Sequence, residues 1–349
     1  MTLPVSRLSW AHDWRALGAA APSGVCPVTD SAFATFLSGK AYLPGAYCLQ
    51  RSLRQSGNAC PLVLLLDDRP EVALPPAHST ALRHAYGARN IHSLTALMRR
   101  HPQHSKRVRL NGSAESFQDL SSRRRRSRRR RRLYAVTSTY VEFFSLWLKV
   151  WLWALEGYRM LLHLDLDLVV TARIDALLGY QFDAEMAAMS CGFHGATDSE
   201  AGAFVSNLML LRPGTPEALR HLGNVMRRTD GTEFRNVPKA CEPKQTDQSL
   251  LNVEFAGRWH RLPTNLARDA RGHPSHPMSH PRAAQLPSQL VNQSEPAMIH
   301  FASEPKPWRP LDGSDGGGDR RLVRRVLTKG SDEAQKVALW RSLCAPSKM

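Results

Sequence analysis

The chain has no apolar run of the roughly 18 residues that a membrane-spanning helix needs. Its richest stretch, Phe143–Leu155, is shorter and is broken by Lys149. Met1–Ser23 lacks the apolar centre of a secretory leader, and it carries Arg7 and Arg15 against one acid, Asp13. Cysteine is scarce. Cys26, Cys48, Cys60, Cys191, Cys241 and Cys344 are scattered without the close spacing of a metal site. With no export signal in view, reduced thiols and a cytoplasmic location are expected. No internal repeat is present, which excludes a solenoid. Acidic residues are also in deficit: 30 Asp and Glu stand against 47 Lys and Arg, a formal charge of +17.

Nine of those positives sit in Arg123–Arg126 and Arg128–Arg132, and setting them aside reduces +17 to +8. The remaining excess is ordinary for a protein that binds a phosphorylated ligand. The run itself reads as a solvated loop insertion, spanning about residues 98–133. Such a run can hold polyanions in a salt-dependent, sequence-blind way, but no interleaved aromatic or recognition helix supports specific nucleic-acid binding. The histidines of His273, His276 and His280 look like a metal tract, yet they lie in a Pro/Ser-rich loop where nothing fixes their geometry.

At 349 residues with 42% hydrophobic content, the chain can bury a substantial core. Ala32–Leu37 reads as a strand, Tyr42–Ser56 as a helix, Pro61–Leu66 as a second buried strand, Pro76–Gly87 as a helix and Ala88–Leu94 as a third strand. Strand and helix in alternation predict a parallel α/β sheet. Helical periodicity returns over Thr139–Leu155. Strands follow at Glu185–Ser190, Ala203–Leu211 and Met298–Phe301. Helices are expected at Ile174–Leu178, Pro216–Arg227, Thr246–Phe255 and Asp332–Leu343, the last capped by Ser331. Residues 1–30 are read as an extension, 31–310 as one domain, and 311–349 as a linker and helix.

The segment Leu161–Asp175 carries the most chemistry. An apolar run ends at Asp165 and Asp167 and resumes at once. Two carboxylates at the end of a buried strand repel each other unless something positive joins them. Oxygen ligands of this kind suit Mg²⁺ or Mn²⁺, ions that bridge to phosphates. Elsewhere, Asp247-Gln248 opens a helix, Ile299-His300-Phe301 ends a strand, and Lys306-Pro307-Trp308 follows closely. Lys149 sits one helix before the Asp pair. Ser38 and Tyr42 lie just past the first strand, where open α/β sheets bind nucleotides.

In these pieces the chain resembles glycosyltransferase family 8, the glycogenin and galactinol synthase family. The resemblance runs through A-T-F-L-S-G-K-A-Y-L-P-G-A, L-K-V-W-L-W-A-L-E-G-Y, L-H-L-D-L-D-L-V-V-T-A-R-I-D-A-L, F-V-S-N-L-M-L-L-R-P, T-D-Q-S-L-L-N and I-H-F-A-S-E-P-K-P-W. It covers about Ala32 to Arg309 apart from the Arg-rich insertion. It implies a GT-A fold, a Rossmann-like mixed α/β sheet with flanking helices, and a retaining hexosyltransferase. The donor would be a UDP-sugar, and the acceptor an unknown glycan, polyol or protein. By position, Asp165, Asp167 and His300 would bind Mn²⁺. Tyr42 would stack on uracil near Ser38, and Lys149 and Lys306 would contact the donor phosphates. Asp247 and Gln248 would face the donor sugar.

The chain also departs from that pattern. Val205-Ser206-Asn207 stands where the family commonly has Asn-Ser-Gly or Asn-Ala-Gly, so the sugar-contacting amide is missing at Val205, and Asn207 is the candidate to replace it. Gly39 replaces a common Asn, Ser303 a frequent Gly, and Lys244 an acid. No tyrosine follows Tyr180, which removes any candidate for a glycogenin-type acceptor. Two other readings compete. A haloacid dehalogenase-like phosphohydrolase fits Asp165-Leu166-Asp167-Leu168-Val169, although that family places its motif on the first strand. A non-catalytic polyanion-binding protein would act through the Arg run.

Overall fold

Strands of continuous Leu, Val and Phe form the centre of the chain, because such segments are stable only when covered on both faces. The computed structural model describes residues 25–70, 72–105, 147–190, 203–228, 247–262, 266–269, 296–301, 306–308 and 332–344. The strands are β1 (Ser31–Ser38), β2 (Leu62–Asp67), β3 (Ile91–Ser93), β4 (Met160–Leu164), β5 (Leu168–Val170), β6 (Met186–Ser190), β7 (Phe204–Leu211), β8 (Trp259–Leu262), β9 (Ala267–Asp269) and β10 (Met298–His300). The helices are α1 (Leu43–Gln55), α2 (Pro76–Tyr86), α3 (Leu94–Arg100), α4 (Pro102–Ser105), α5 (Pro216–Arg228), α6 (Asp247–Glu254) and α7 (Asp332–Cys344).

Seven strands form one mixed sheet in the order β3-β2-β1-β4-β7-β6-β8. The β1, β2, β3 and β4 ladders are parallel, and β7 runs antiparallel to both β4 and β6. The chain leaves β1 toward β2 and later returns to β1's other side as β4, so a crevice opens past the carboxyl ends of β1 and β4. That reversal is where ligands bind open α/β sheets. A second small sheet, β5-β10-β9, stands beside it.

Each face of the large sheet has its own core. One contains Phe33, Leu37, Leu49, Leu64 and Leu162, and the other Trp151, Trp153, Phe204, Leu250 and Phe255. Trp151 and Trp153 are thus packing residues, and Trp153 stacks on Phe255 at 5.8 Å. A third cluster joins Cys48 of α1, Val169 and Ile299 of the small sheet, and Trp340 of α7.

The expected elements recur within a residue or two at most positions. The segment before β4 differs: Trp147–Ala154 is a 3₁₀ helix, a tighter winding than the α-helix expected there. Ile174–Leu178 is likewise replaced by a 3₁₀ turn at Asp175–Gly179. Strands β5, β8 and β9 were not anticipated, because three or four residues are too few to display a period. The beginning of the expected insertion is helical, with α3 running to Arg100 and α4 to Ser105. The Arg runs, Thr139–Leu146, Lys244, His273, His276, His280, Ser303 and the linker Gly313–Asp319 lie outside the described residues.

The expectation of free thiols is corrected for four cysteines. Cys26 bonds to Cys60, with Cα atoms 4.4 Å apart, and Cys48 bonds to Cys344, 4.8 Å apart. Sequence separations of 34 and 296 gave no local sign of these pairs. Among the described residues, no helix is long and apolar enough to cross a membrane.

Candidate active site

The β1–β4 ladder stops at Ala34–His163. Thr35 closes it by donating its hydroxyl to the Leu164 carbonyl at 2.7 Å, and the chain then turns through Asp165-Leu166-Asp167. Helix α1 presses on that turn. A Cβ on Gly45 would lie 2.5 Å from the Leu166 carbonyl oxygen and 3.1 Å from the Trp308 ring, so only glycine permits this approach. The Phe301 amide donates to the Asp167 carbonyl at 2.9 Å, continuing the β5–β10 pairing in which His300 faces Leu168. Backbone pairing therefore delivers His300 to Asp167 across more than a hundred residues of sequence.

The two carboxylates take different partners. Asp165 Oδ1 accepts from Lys149 Nζ at 3.2 Å and from His163 Nε2 at 2.9 Å. Lys149 also pairs with Asp247 Oδ2 at 2.6 Å and donates to Ser206 Oγ at 3.1 Å. Ser206 in turn donates its hydroxyl to Asp247 at 2.8 Å, and its amide donates to Gln248 Oε1 at 3.2 Å. That amide is available because the β6–β7 register shifts between Ala188 and Met189, taking residues 206–208 off the β6 ladder. Bulges of this kind are common beside functional sites.

Asp167 has its own lysine and histidine. Lys306 Nζ lies 2.7 Å from its Oδ2 and also donates to the Phe301 carbonyl. His300 Nε2 is 3.3 Å from Asp167 Oδ1 but is not aligned for a hydrogen bond, and that buried oxygen accepts none. Asn207 Nδ2 sits 2.9 Å from His300 Nδ1.

Burial works against every charge here, and the neighbours reverse it. Desolvation opposes ionisation of Asp167, yet Lys306 and then His300 hold its carboxyl far below the usual range. Desolvation likewise opposes the Asp165 charge, and Lys149 followed by His163 keeps its carboxyl low. Lys149 would lose its proton more easily by burial alone, but Asp165 and Asp247 hold it above the usual lysine value. Burial dominates at His163 and pushes it down despite Asp165. A neutral His163 then donates Nε2–H to Asp165 and leaves Nδ1 as a buried lone pair.

Of the residues expected at the site, Lys149, Asp165, Asp247 and Gln248 form one connected group, and Asp167, His300, Asn207 and Lys306 form a second. The Asp165 amide, donating to the Asn207 carbonyl at 2.9 Å, joins the two. Ser38 and Tyr42 stand at the β1 exit. Ser38 gives its hydroxyl to Asp67 at 2.8 Å, and Arg69 clamps the same carboxylate with two bonds of 2.8 Å. Tyr42 meets Trp308 edge-on at 5.9 Å, and Trp308 donates to the Ala41 carbonyl at 2.9 Å. Two contributors were missed, His163 and Ser206. His163 could have been found, since residues two apart on a strand share a face and His-x-Asp is visible.

The pair Asp167–His300 fits a divalent cation. Neighbouring ligands at about 2.1 Å from an octahedral ion lie about 3 Å from each other. A ring nitrogen and an orphaned carboxylate oxygen 3.3 Å apart match that separation. Among the described residues, no three His, Cys, Asp or Glu side chains surround one point, and Asp165 is paired with Lys149 and His163.

The chain has the GT-A glycosyltransferase fold. A crystal structure of an active-site mutant of LgtC superposes with a TM-score of 0.50 at 12% identity, covering 87% of this chain and 99% of that one. The apo form of the glycosyltransferase GlyE from Streptococcus pneumoniae TIGR4 gives 0.49 at 16% identity over 92% of this chain. The bifunctional glycosyltransferase WbbM gives 0.49 at 15% over 90%. The chain spans 66% of GlyE and 52% of WbbM. No protein-family model matches the chain, and no curated protein matches it.

Proposed function

We propose that this GT-A chain is a metal-dependent retaining glycosyltransferase of the family 8 type, moving a hexose from a UDP-sugar to an acceptor. One observation carries the reading: two strand-end carboxylates at the β1–β4 crevice, each with its own buried lysine, and a histidine brought to one of them by β10. Asp165, Asp167 and His300 would hold Mn²⁺. Bound there, the ion would act as a Lewis acid toward the charge that builds on the leaving diphosphate.

The chain's own residues supply the rest. Lys149 and Lys306, paired with Asp165 and Asp167 respectively, would stabilise phosphate oxygens as negative charge grows. Asp247 and Gln248 open α6 beside Ser206 and would face the donor sugar. A carboxylate near the anomeric carbon favours oxocarbenium character, by analogy with glycoside hydrolysis. Tyr42, backed by Trp308, offers its ring to the base beside Ser38. The disulfides favour an oxidising compartment over the cytoplasm.

The phosphohydrolase alternative finds no support. The Asp pair follows β4, which lies mid-sheet after β1, β2 and β3 and beside the antiparallel β7. The test is a UDP-sugar donor screen with Mn²⁺, reading UDP release, together with calorimetric UDP binding. UDP should bind in Mn²⁺ and not in chelator, and Asp167→Asn should lose the metal-dependent part. Equal binding in chelator would overturn the proposal.

A further inference from the structure

We infer that Asn207 is a positioning residue for His300: its amide oxygen accepts the imidazole Nδ1–H and so turns the Nε2 lone pair toward the cation beside Asp167. This rests on the donor-site reading above and assigns a role to a position where the resembled family carries glycine.

The geometry points to it through two orphaned atoms. Asn207 Nδ2 is 2.9 Å from His300 Nδ1, while Asn207 Oδ1 is buried with no donor. In that orientation Nδ1 must be an acceptor, so the ring proton sits on Nε2. There it finds no aligned partner, and Asp167 Oδ1 is left buried and without a hydrogen bond. One arrangement thus strands two buried acceptors, each a substantial cost.

Turning the amide over resolves both. The oxygen and nitrogen of an Asn amide are assigned from their hydrogen-bond partners, and the two orientations occupy the same volume. With Oδ1 toward the ring, the amide oxygen gains Nδ1–H. The ring proton leaves Nε2, whose lone pair then faces Asp167 Oδ1 across 3.3 Å. Two lone pairs so close need a positive charge between them, which a divalent ion supplies in place of the ring proton. A ligating histidine that donates its second N–H to a carbonyl is the usual support of a metal site. The NH₂ group takes the place now held by the oxygen and is the one buried group this arrangement leaves to a ligand.

The backbone explains why Asn207 can do this. Its own carbonyl is fixed by the Asp165 amide at 2.9 Å, and the register shift against β6 leaves residues 206–208 without a β6 partner.

The test uses the full chain and Mn²⁺ alone, with free ion counted by electron paramagnetic resonance. Asn207→Ala should weaken Mn²⁺ binding about 10–100-fold. Asn207→Asp, which retains an acceptor and no donor, should bind at least as tightly as the wild type. A second readout does not depend on any variant's folding. In the ¹⁵N spectrum of the Mg²⁺-loaded wild type, with the ring assigned by difference from His300→Gln, the His300 proton should be on Nδ1. A proton on Nε2, unchanged affinity in Asn207→Ala, or loss in Asn207→Asp would each overturn the role. If the wild type binds no Mn²⁺, the donor-site reading itself fails. If Asp167→Ala abolishes binding while Asn207→Ala does not, only the positioning role fails.

Discussion

Lys149 and Asp247 meet at 2.6 Å with both side chains almost wholly out of water, so the ammonium that reaches the Asp pair is anchored by the first residue of α6. A buried charge left without its partner is far more costly than the intact pair is favourable. Lys149→Met should therefore cost about 3–5 kcal/mol of stability, because Asp165 and Asp247 then face each other with no cation. Adding Asp247→Asn should recover part of that loss. Denaturant titration of the single and double variants checks it, and strictly additive losses would refute the coupling.

Gly45 sets how closely α1 approaches the Asp165–Asp167 turn. Gly45→Ala should cost about 1–3 kcal/mol, since its methyl would meet a backbone carbonyl that cannot move freely. The displaced turn should also bind Mn²⁺ more weakly. Thermal melts and metal titration of the same variant separate the two effects.

These contacts show where the sequence was informative. The strands β1, β2, β4 and β7 were readable because uninterrupted apolar runs have one solution, burial in a sheet. The carboxylates of Asp165 and Asp167 were readable because charge at the end of such a run demands a partner. Which partner each takes was not readable. That choice depends on β7 lying antiparallel to β4 and on β10 pairing with β5, relationships between distant segments that no local pattern encodes. The same holds for Cys48 and Cys344. His163 is the contrary case, legible by strand alternation yet overlooked beside two aspartates.

Glu254 predicts a pH dependence away from the crevice. Burial opposes its charge, but hydrogen bonds from His221 and Asn224 hold its carboxyl below the usual range. The folded state then binds fewer protons than the unfolded one. Its contribution is complete above the unfolded value of about 4.3 and is lost as pH falls through the folded value. Melts from pH 3 to 6 should show a shallower acid decline for Glu254→Gln than for the wild type. Parallel declines would refute the linkage.

Peptide mapping without reduction should recover Cys26 joined to Cys60 and Cys48 joined to Cys344. Removing the long-range link with Cys48→Ala should lower stability by about 2–4 kcal/mol. A melt unchanged by that substitution and by reductant would show that the bridge does not form in solution.

The alternation of β7 divides labour inside the crevice: Ser206 serves the Lys149 side and its immediate neighbour Asn207 serves the His300 side. Deleting a single amino acid just ahead of this pair would bring the amide to the first station and Leu208 to the second, and inserting one would bring the hydroxyl to the second station and leave the first to the preceding residue. The spacing of this short stretch is accordingly less tolerant of length change than of chemical change, and a scan of one-residue indels across Phe204–Leu208 would map that intolerance directly.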